Sequence, residues 1–172
     1  MMKRQGSKTA VIRRFIAGMI ALCMGVLAVG TAAPAQADDP VFTSVWDTTL
    51  TSAGSSNADQ IKLPLTSTGV YDFTVDWGDG TAPDQIDSWD DATATHTFIT
   101  PGVQTVSITG TIEGFGFNNA GDRLKLTDVT AWGPLLLGND GGYFDGAANL
   151  NITAVDAPDL SATTNLQNAF RN

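Results

Sequence analysis

The side chains available for chemistry are few. His96 is the single histidine and Cys23 the single cysteine. In Thr95-His96-Thr97-Phe98 the imidazole alternates with Thr97 along an extended run, which reads as a packed or edge-bonded histidine rather than a general base. No serine sits in a Gly-x-Ser-x-Gly elbow. Asp76 and Asp79 have the spacing of a carboxylate pair, but Asp76 points out from a strand and Asp79 makes a turn, with no pocket between them. Asp84, Asp87, Asp90 and Asp91 crowd one loop. Carboxylate clusters of this kind can hold Ca²⁺, yet the spacing fits no known Ca²⁺ loop, and a solvated acidic loop is the reading adopted. Trp77, Trp89, Trp132, Tyr71 and Tyr143 are flat rings on which a sugar could stack. Alternation places Trp77 in the core and leaves Trp89 as the exposed candidate. On these grounds no catalytic residue, cofactor or metal ligand is assigned, and the residues of a binding surface stay open.

The elements around these residues are strands. Tyr71, Phe73, Val75 and Trp77 share one face of a strand, and Asp72, Thr74 and Asp76 share the other. Gly78-Asp79-Gly80 ends it, since both glycines tolerate positive φ and the Asp79 carboxylate can bond nearby N–H groups. Further on, Gln104 to Thr109 alternates again, with Val106 and Ile108 inward. Upstream, Val41 to Trp46 is a first strand and Ile61 to Leu65 a second, which Pro64 places at an edge or with that backbone position facing out of the ladder. Thr66 to Val70 is expected to be a turn, Asp84 to Ile86 a short strand, and Thr105 to Phe117 one strand or two, bent at Gly110, Gly114 and Gly116. The pattern is that of a mainly β chain and of half a β-sandwich.

The chain of 172 residues opens on a basic head containing Lys3, Arg4, Lys8, Arg13 and Arg14. An apolar run from Ile16 to Val29 and the small residues Ala35 and Ala37 follow. This is the layout of a secretory signal peptide over residues 1–37 with cleavage after Ala37, and the run is shorter than the ~20 residues a membrane span needs. All 18 acidic residues lie beyond that cut, against only Lys62, Arg123, Lys125 and Arg171. So acidic a remainder repels phosphate backbones and anionic lipid, which argues against nucleic acid and membrane-surface partners. No cysteine remains in it, so it folds without disulfides. A secreted or cell-surface location follows, with no membrane span in the mature chain.

Asn118 to Asp122 breaks the alternation and divides a segment 38–118 from a segment 123–172. In the second segment the chain matches itself at an offset of 26: Leu126 with Ile152, Thr127 with Thr153, Val129 with Val155, Ala131 with Ala157, Asn139 with Asn165 and Phe144 with Phe170. That period falls in the ~20–29 residue range of leucine-rich repeats.

Two family resemblances cover nearly all of residues 42–172. Val75-Asp76-Trp77-Gly78-Asp79-Gly80-Thr81, with His96-Thr97-Phe98 and Gly102-Val103-Gln104-Thr105-Val106, resembles the PKD domain, an immunoglobulin-like β-sandwich of extracellular proteins. Val75 stands where members carry tryptophan, and Trp77 takes the large-aromatic role. Trp132-Gly133, Gly142-Tyr143-Phe144, Asn149-Leu150 and Asp159-Leu160-Ser161 resemble the BspA-like leucine-rich-repeat surface proteins, which often open with a PKD-like domain. The resemblance implies a non-enzymatic adhesion or protein-binding role, with the sandwich as spacer or cap and an extracellular protein or glycan as partner. The alternative it leaves is an accessory or glycan-binding module of an extracellular carbohydrate-active enzyme. A repeat array needs about three units to bury its core. Segment 38–118 is therefore expected to fold alone, and 123–172, an incomplete stub, to be poorly protected.

Overall fold

Alternation along Phe42–Asp47, the first strand β1, sends Phe42, Ser44 and Trp46 inward, and all three are buried. The buried Ser44 hydroxyl is satisfied by the Trp46 indole N–H at 2.9 Å. The structure, a computed structural model, describes residues 39–172. The expected signal peptide and its cleavage residues Ala35 and Ala37 lie outside the described residues. Beyond β1 the strands are β2 (Gln60–Lys62), β3 (Leu65–Asp76), β4 (Asp84–Ile86), β5 (Thr95–Thr97), β6 (Val103–Phe115), β7 (Leu126–Ala131), β8 (Leu135–Leu136) and β9 (Asn151–Ile152). A 3₁₀ turn at Ala92–Ala94 is capped by the Asp91 carboxylate. The described residues contain no α-helix, so none is long and apolar enough to cross a membrane.

Seven strands form one mixed sheet in the order β4-β3-β6-β1-β7-β9, with β8 also paired to β6. β3, β6, β1 and β7 run antiparallel to their neighbours; β8 on β6 and β9 on β7 are parallel. β2 and β5 make a separate antiparallel pair. The inward faces meet as expected, with Tyr71, Phe73, Val75, Trp77, Val106 and Ile108 all buried.

Three boundaries differ from the sequence expectation. The second strand stops at Lys62, because Pro64 cannot donate to a ladder; its carbonyl instead accepts from Gly116 N–H at 2.9 Å. Thr66 to Val70 belongs to β3 rather than to a turn before it, with a register shift between Leu65 and Val70. The irregular stretch is pinned by the Tyr71 hydroxyl, which accepts from Thr66 N–H at 2.8 Å and lies 2.7 Å from the Gly114 carbonyl. A side chain at Gly69 would overlap that hydroxyl. Third, β6 is one continuous strand that ends at Phe115, taking its bends at Gly110 and Gly114 in positive φ.

Segments 38–118 and 123–172 share one sheet and one core. β7 lies against β1, and Leu126, Val129, Leu135, Tyr143 and Phe144 are buried in the same cluster as Phe42 and Phe115. A chain of rings crosses the turn at Asn118–Asp122: Trp46 to Phe117 at 6.0 Å, Phe117 to Phe115 at 5.7 Å and Phe115 to Phe144 at 5.6 Å. Aromatic contacts of this kind add about 0.5–1.5 kcal/mol each beyond area burial.

The same turn holds a buried ion pair. Asp122 and Lys125 side chains are wholly buried, 3.5 Å apart. The Lys125 ammonium donates to the Asn57 and Gln60 carbonyls, both at 2.8 Å, and reaches the Ser56 hydroxyl at 2.7 Å. Asp122 accepts from the Ser56 and Lys62 N–H groups, both at 2.7 Å. Burial lowers the Lys125 pKa, and the charge of Asp122 opposes it. The pair ties the Ser/Gly-rich loop before β2 onto the start of β7.

Candidate functional site

The turn after β3 and strand β5 bring together residues that lie apart in sequence. Gly78 and Gly80 take φ of 76° and 83°, and a Cβ at Gly78 would run into the Thr105 carbonyl, so glycine is required there. This aims the Asp79 carboxylate at His96, whose Nε2 lies 2.8 Å away. His96 is stacked on Trp77 at 4.8 Å with 10° between ring planes, and edge-on to Phe98 at 4.7 Å. The Trp77 indole N–H donates to Asp84 at 2.9 Å. Burial raises the pKa of Asp79, but hydrogen bonds from Thr81 and His96 outweigh it and hold the carboxyl at about 2. The other Asp79 oxygen accepts from the Thr81 N–H and hydroxyl at 3.0 and 2.6 Å. The carboxylate is thus spent closing its own turn and fixing an imidazole, and the Thr81 hydroxyl points its proton at Asp79. The Asp79–His96 pair is a clasp between two elements.

The acidic loop is dispersed. Asp84 accepts from Trp77, Asp90 from the Ser88 hydroxyl at 2.7 Å, and Asp91 from Thr93 at 2.9 Å. Among the described residues no three side chains of His, Cys, Asp or Glu come close enough to share a metal ion. Of the candidate sugar platforms, Tyr71, Trp77, Trp132 and Tyr143 are buried, whereas Trp89 is 50% exposed. The hollow between β2 and Asp122 has ≈ 240 Å³, as does the one beside Phe98 and Ile99. Small-molecule sites usually run to ~300–1,000 Å³, so neither is built for a sizeable ligand.

The remaining candidate is the coil of chain after β7. Residues 26 apart are stacked there. Phe117 N–H donates to the Tyr143 carbonyl at 3.0 Å and Asn119 N–H to that of Asp145 at 3.1 Å. The Asn165 amide donates to the Asn139 carbonyl at 3.0 Å. Phe144 and Phe170 stack at 5.2 Å and 11°, and Arg171 forks onto Asp145 at 2.7 and 3.0 Å. The spacing therefore begins at Phe117, before the turn at Asn118–Asp122. At the strands it slips. Asp128 pairs with Asn151 and Val129 with Ile152, and Leu136 bridges to Asp159. Val129 thus sits beside Ile152 rather than Val155, and Val155 is left wholly exposed. Asp156 accounts for part of the shift, because its carboxylate accepts from the N–H groups of Trp132 and Gly133 at 2.9 and 3.0 Å. Those bonds hold its pKa down.

Comparison with protein-family models, with curated proteins and with solved structures gave no match.

Proposed function

We propose that the chain is a secreted or cell-surface binding protein without enzymatic activity. In this reading residues 38–118 are a PKD-like, immunoglobulin-like sandwich that serves as N-terminal cap or spacer. The 26-residue coils begin a BspA-like leucine-rich array that binds an extracellular protein, as in adhesion. One observation carries it: Ile152, Val155, Leu160, Leu166 and Phe170 are all exposed on the last coil, out of nine large hydrophobic residues exposed among those described. Concentrated exposed apolar surface marks an interaction site more often than it marks nothing. A fold does not fix a function, so the support lies in this surface. The test is capture of extracellular-matrix proteins by immobilised residues 38–172. Retention that is lost in Ile152→Asp and Phe170→Asp, with Trp89→Ala unaffected, is expected. Retention of polysaccharide alone, abolished by Trp89→Ala, would overturn the reading in favour of a glycan-binding accessory module, which the exposed Trp89 ring supports.

A further inference from the structure

The sheet ends on β4, and β4 is too short to cover its neighbour. It pairs with Phe73, Thr74 and Val75 alone, and after Ile86 the chain leaves the sheet. Val70, Tyr71 and Asp72 are therefore held by β6 on one side only. Backbone N–H and C=O groups of a strand face its two neighbours alternately, so this stretch presents unpaired groups on its outer side. The open lane is bounded by β4 at one end and by the register shift between Leu65 and Val70 at the other. It is accessible, with Val70 56% exposed and Asp72 exposed beside it. Sheet edges are commonly guarded by lysine or proline. Pro83 stands before β4, but from Leu63 to Asp122 the sequence has nine acidic residues and no lysine or arginine. Among the described residues the ion pairs are those of Asp79, Asp122 and Asp145. Asp72, Asp76, Asp84 and Asp87 thus carry charge that no described cation offsets.

From this we infer that the outer edge of β3 at Val70–Asp72 docks an extended, basic segment of a partner polypeptide, added to the sheet as a short strand. Backbone pairing sets the register of such a strand, and side chains choose the partner. Val70 and Asp72 stand two apart on β3, so they share its outward face and meet residues two apart on the added strand. The segment therefore carries lysine or arginine across from Asp72 and an apolar residue across from Val70. An acidic segment does not fit, because like charges set opposite each other destabilise the pair. A second copy of the same edge does not fit either, since it would bring two uncompensated acidic surfaces together. The edge lies on other strands than the apolar surface of the last coil, and the inference goes beyond the reading built on that surface.

The test adds short synthetic peptides to residues 38–172 and follows amide hydrogen exchange. One peptide alternates lysine and valine, and a second has glutamate for each lysine. A third has the residues of the first rearranged as a lysine block and a valine block. Slowing of an amide within Val70–Asp72 by about tenfold or more is expected from the alternating lysine peptide alone. Added salt should weaken the effect, because the attraction is between exposed charges. Asp72→Lys should shift the preference to the glutamate peptide, while the Val106 and Ile108 amides stay protected and show that the variant folds. Equal slowing by the block peptide overturns the inference, since diffuse attraction to an acidic protein then suffices. Slowing of the parent chain by the glutamate peptide overturns it, as does no slowing at all. A cationic oligosaccharide that slows these amides where the peptide does not also overturns it, because the occupant is then a glycan.

Discussion

Replacing Lys125 by methionine removes the ammonium and keeps most of the stem. Asp122 then remains buried with no counter-charge, and the Asn57 and Gln60 carbonyls each lose a donor at 2.8 Å. Breaking a buried pair from one side costs about 3–5 kcal/mol, because a charge is left uncompensated in a medium that solvates it poorly. The Ser56 and Lys62 N–H groups still hold Asp122 at 2.7 Å, which places the expected loss toward the lower end, about 3 kcal/mol. Asp122→Asn should cost a similar amount, and the double variant distinctly less than the sum, since its second substitution removes a group already unpaired. Urea melts of the four proteins at pH 7 give the coupling energy. In Lys125→Met, hydrogen exchange should quicken first at Ser56 and Lys62, the loop the pair ties down. A loss under about 0.5 kcal/mol, the range of ordinary surface changes, would refute the account of the cage.

Trp77→Ala should cost about 3–5 kcal/mol by leaving a cavity beneath His96, and Trp89→Ala under about 1 kcal/mol; denaturant melts separate them. Asp79 titrates lower in the folded chain, at about 2, than its ordinary value of 3.8. Its contribution to stability is therefore complete above the unfolded pKa and is lost as pH falls through the folded one. Acid melts between pH 5 and 2 should thus be less steep in Asp79→Asn than in the parent. Mass spectrometry of exported material should find Asp38 as the first residue, and a retained Met1 would count against the signal peptide.

Strands whose apolar residues recur every second position were legible in the sequence, because that period follows from backbone geometry alone. Tyr71 to Trp77 and Val106 to Ile108 are the examples. The 26-residue spacing was legible too where aromatic residues mark it, as at Phe144 and Phe170. Its slip at Val129 was not, since it depends on where Asp156 finds N–H groups to accept from. Asp122 and Lys125 look like any surface pair in sequence. Only the folded chain encloses them, because the loop carbonyls that surround Lys125 lie more than sixty residues away. The Asp79–His96 clasp was hidden for the same reason, with each residue having a sufficient local explanation. The insertion of β7 beside β1 left no mark at all. β1 alternates, but the buried residues of β7, Leu126 and Val129, stand three apart, and nothing local specifies which edge meets which.

That insertion governs how the sheet must close. Thr43 finds Ser107 on one side and Ala131 on the other, so the first strand made is paired on both edges only once β7 is in place. Pairings this distant in sequence carry a large loop-closure penalty and fold slowly. Until Leu126–Ala131 arrives, β1 keeps a bare row of N–H and C=O groups beside the large side chains of Phe42 and Trp46. An edge of that composition is a template for another chain. The hazard for this protein is therefore one of timing: a chain stalled or cut near Asn118 exposes its first strand, and β7 is the element that retires it.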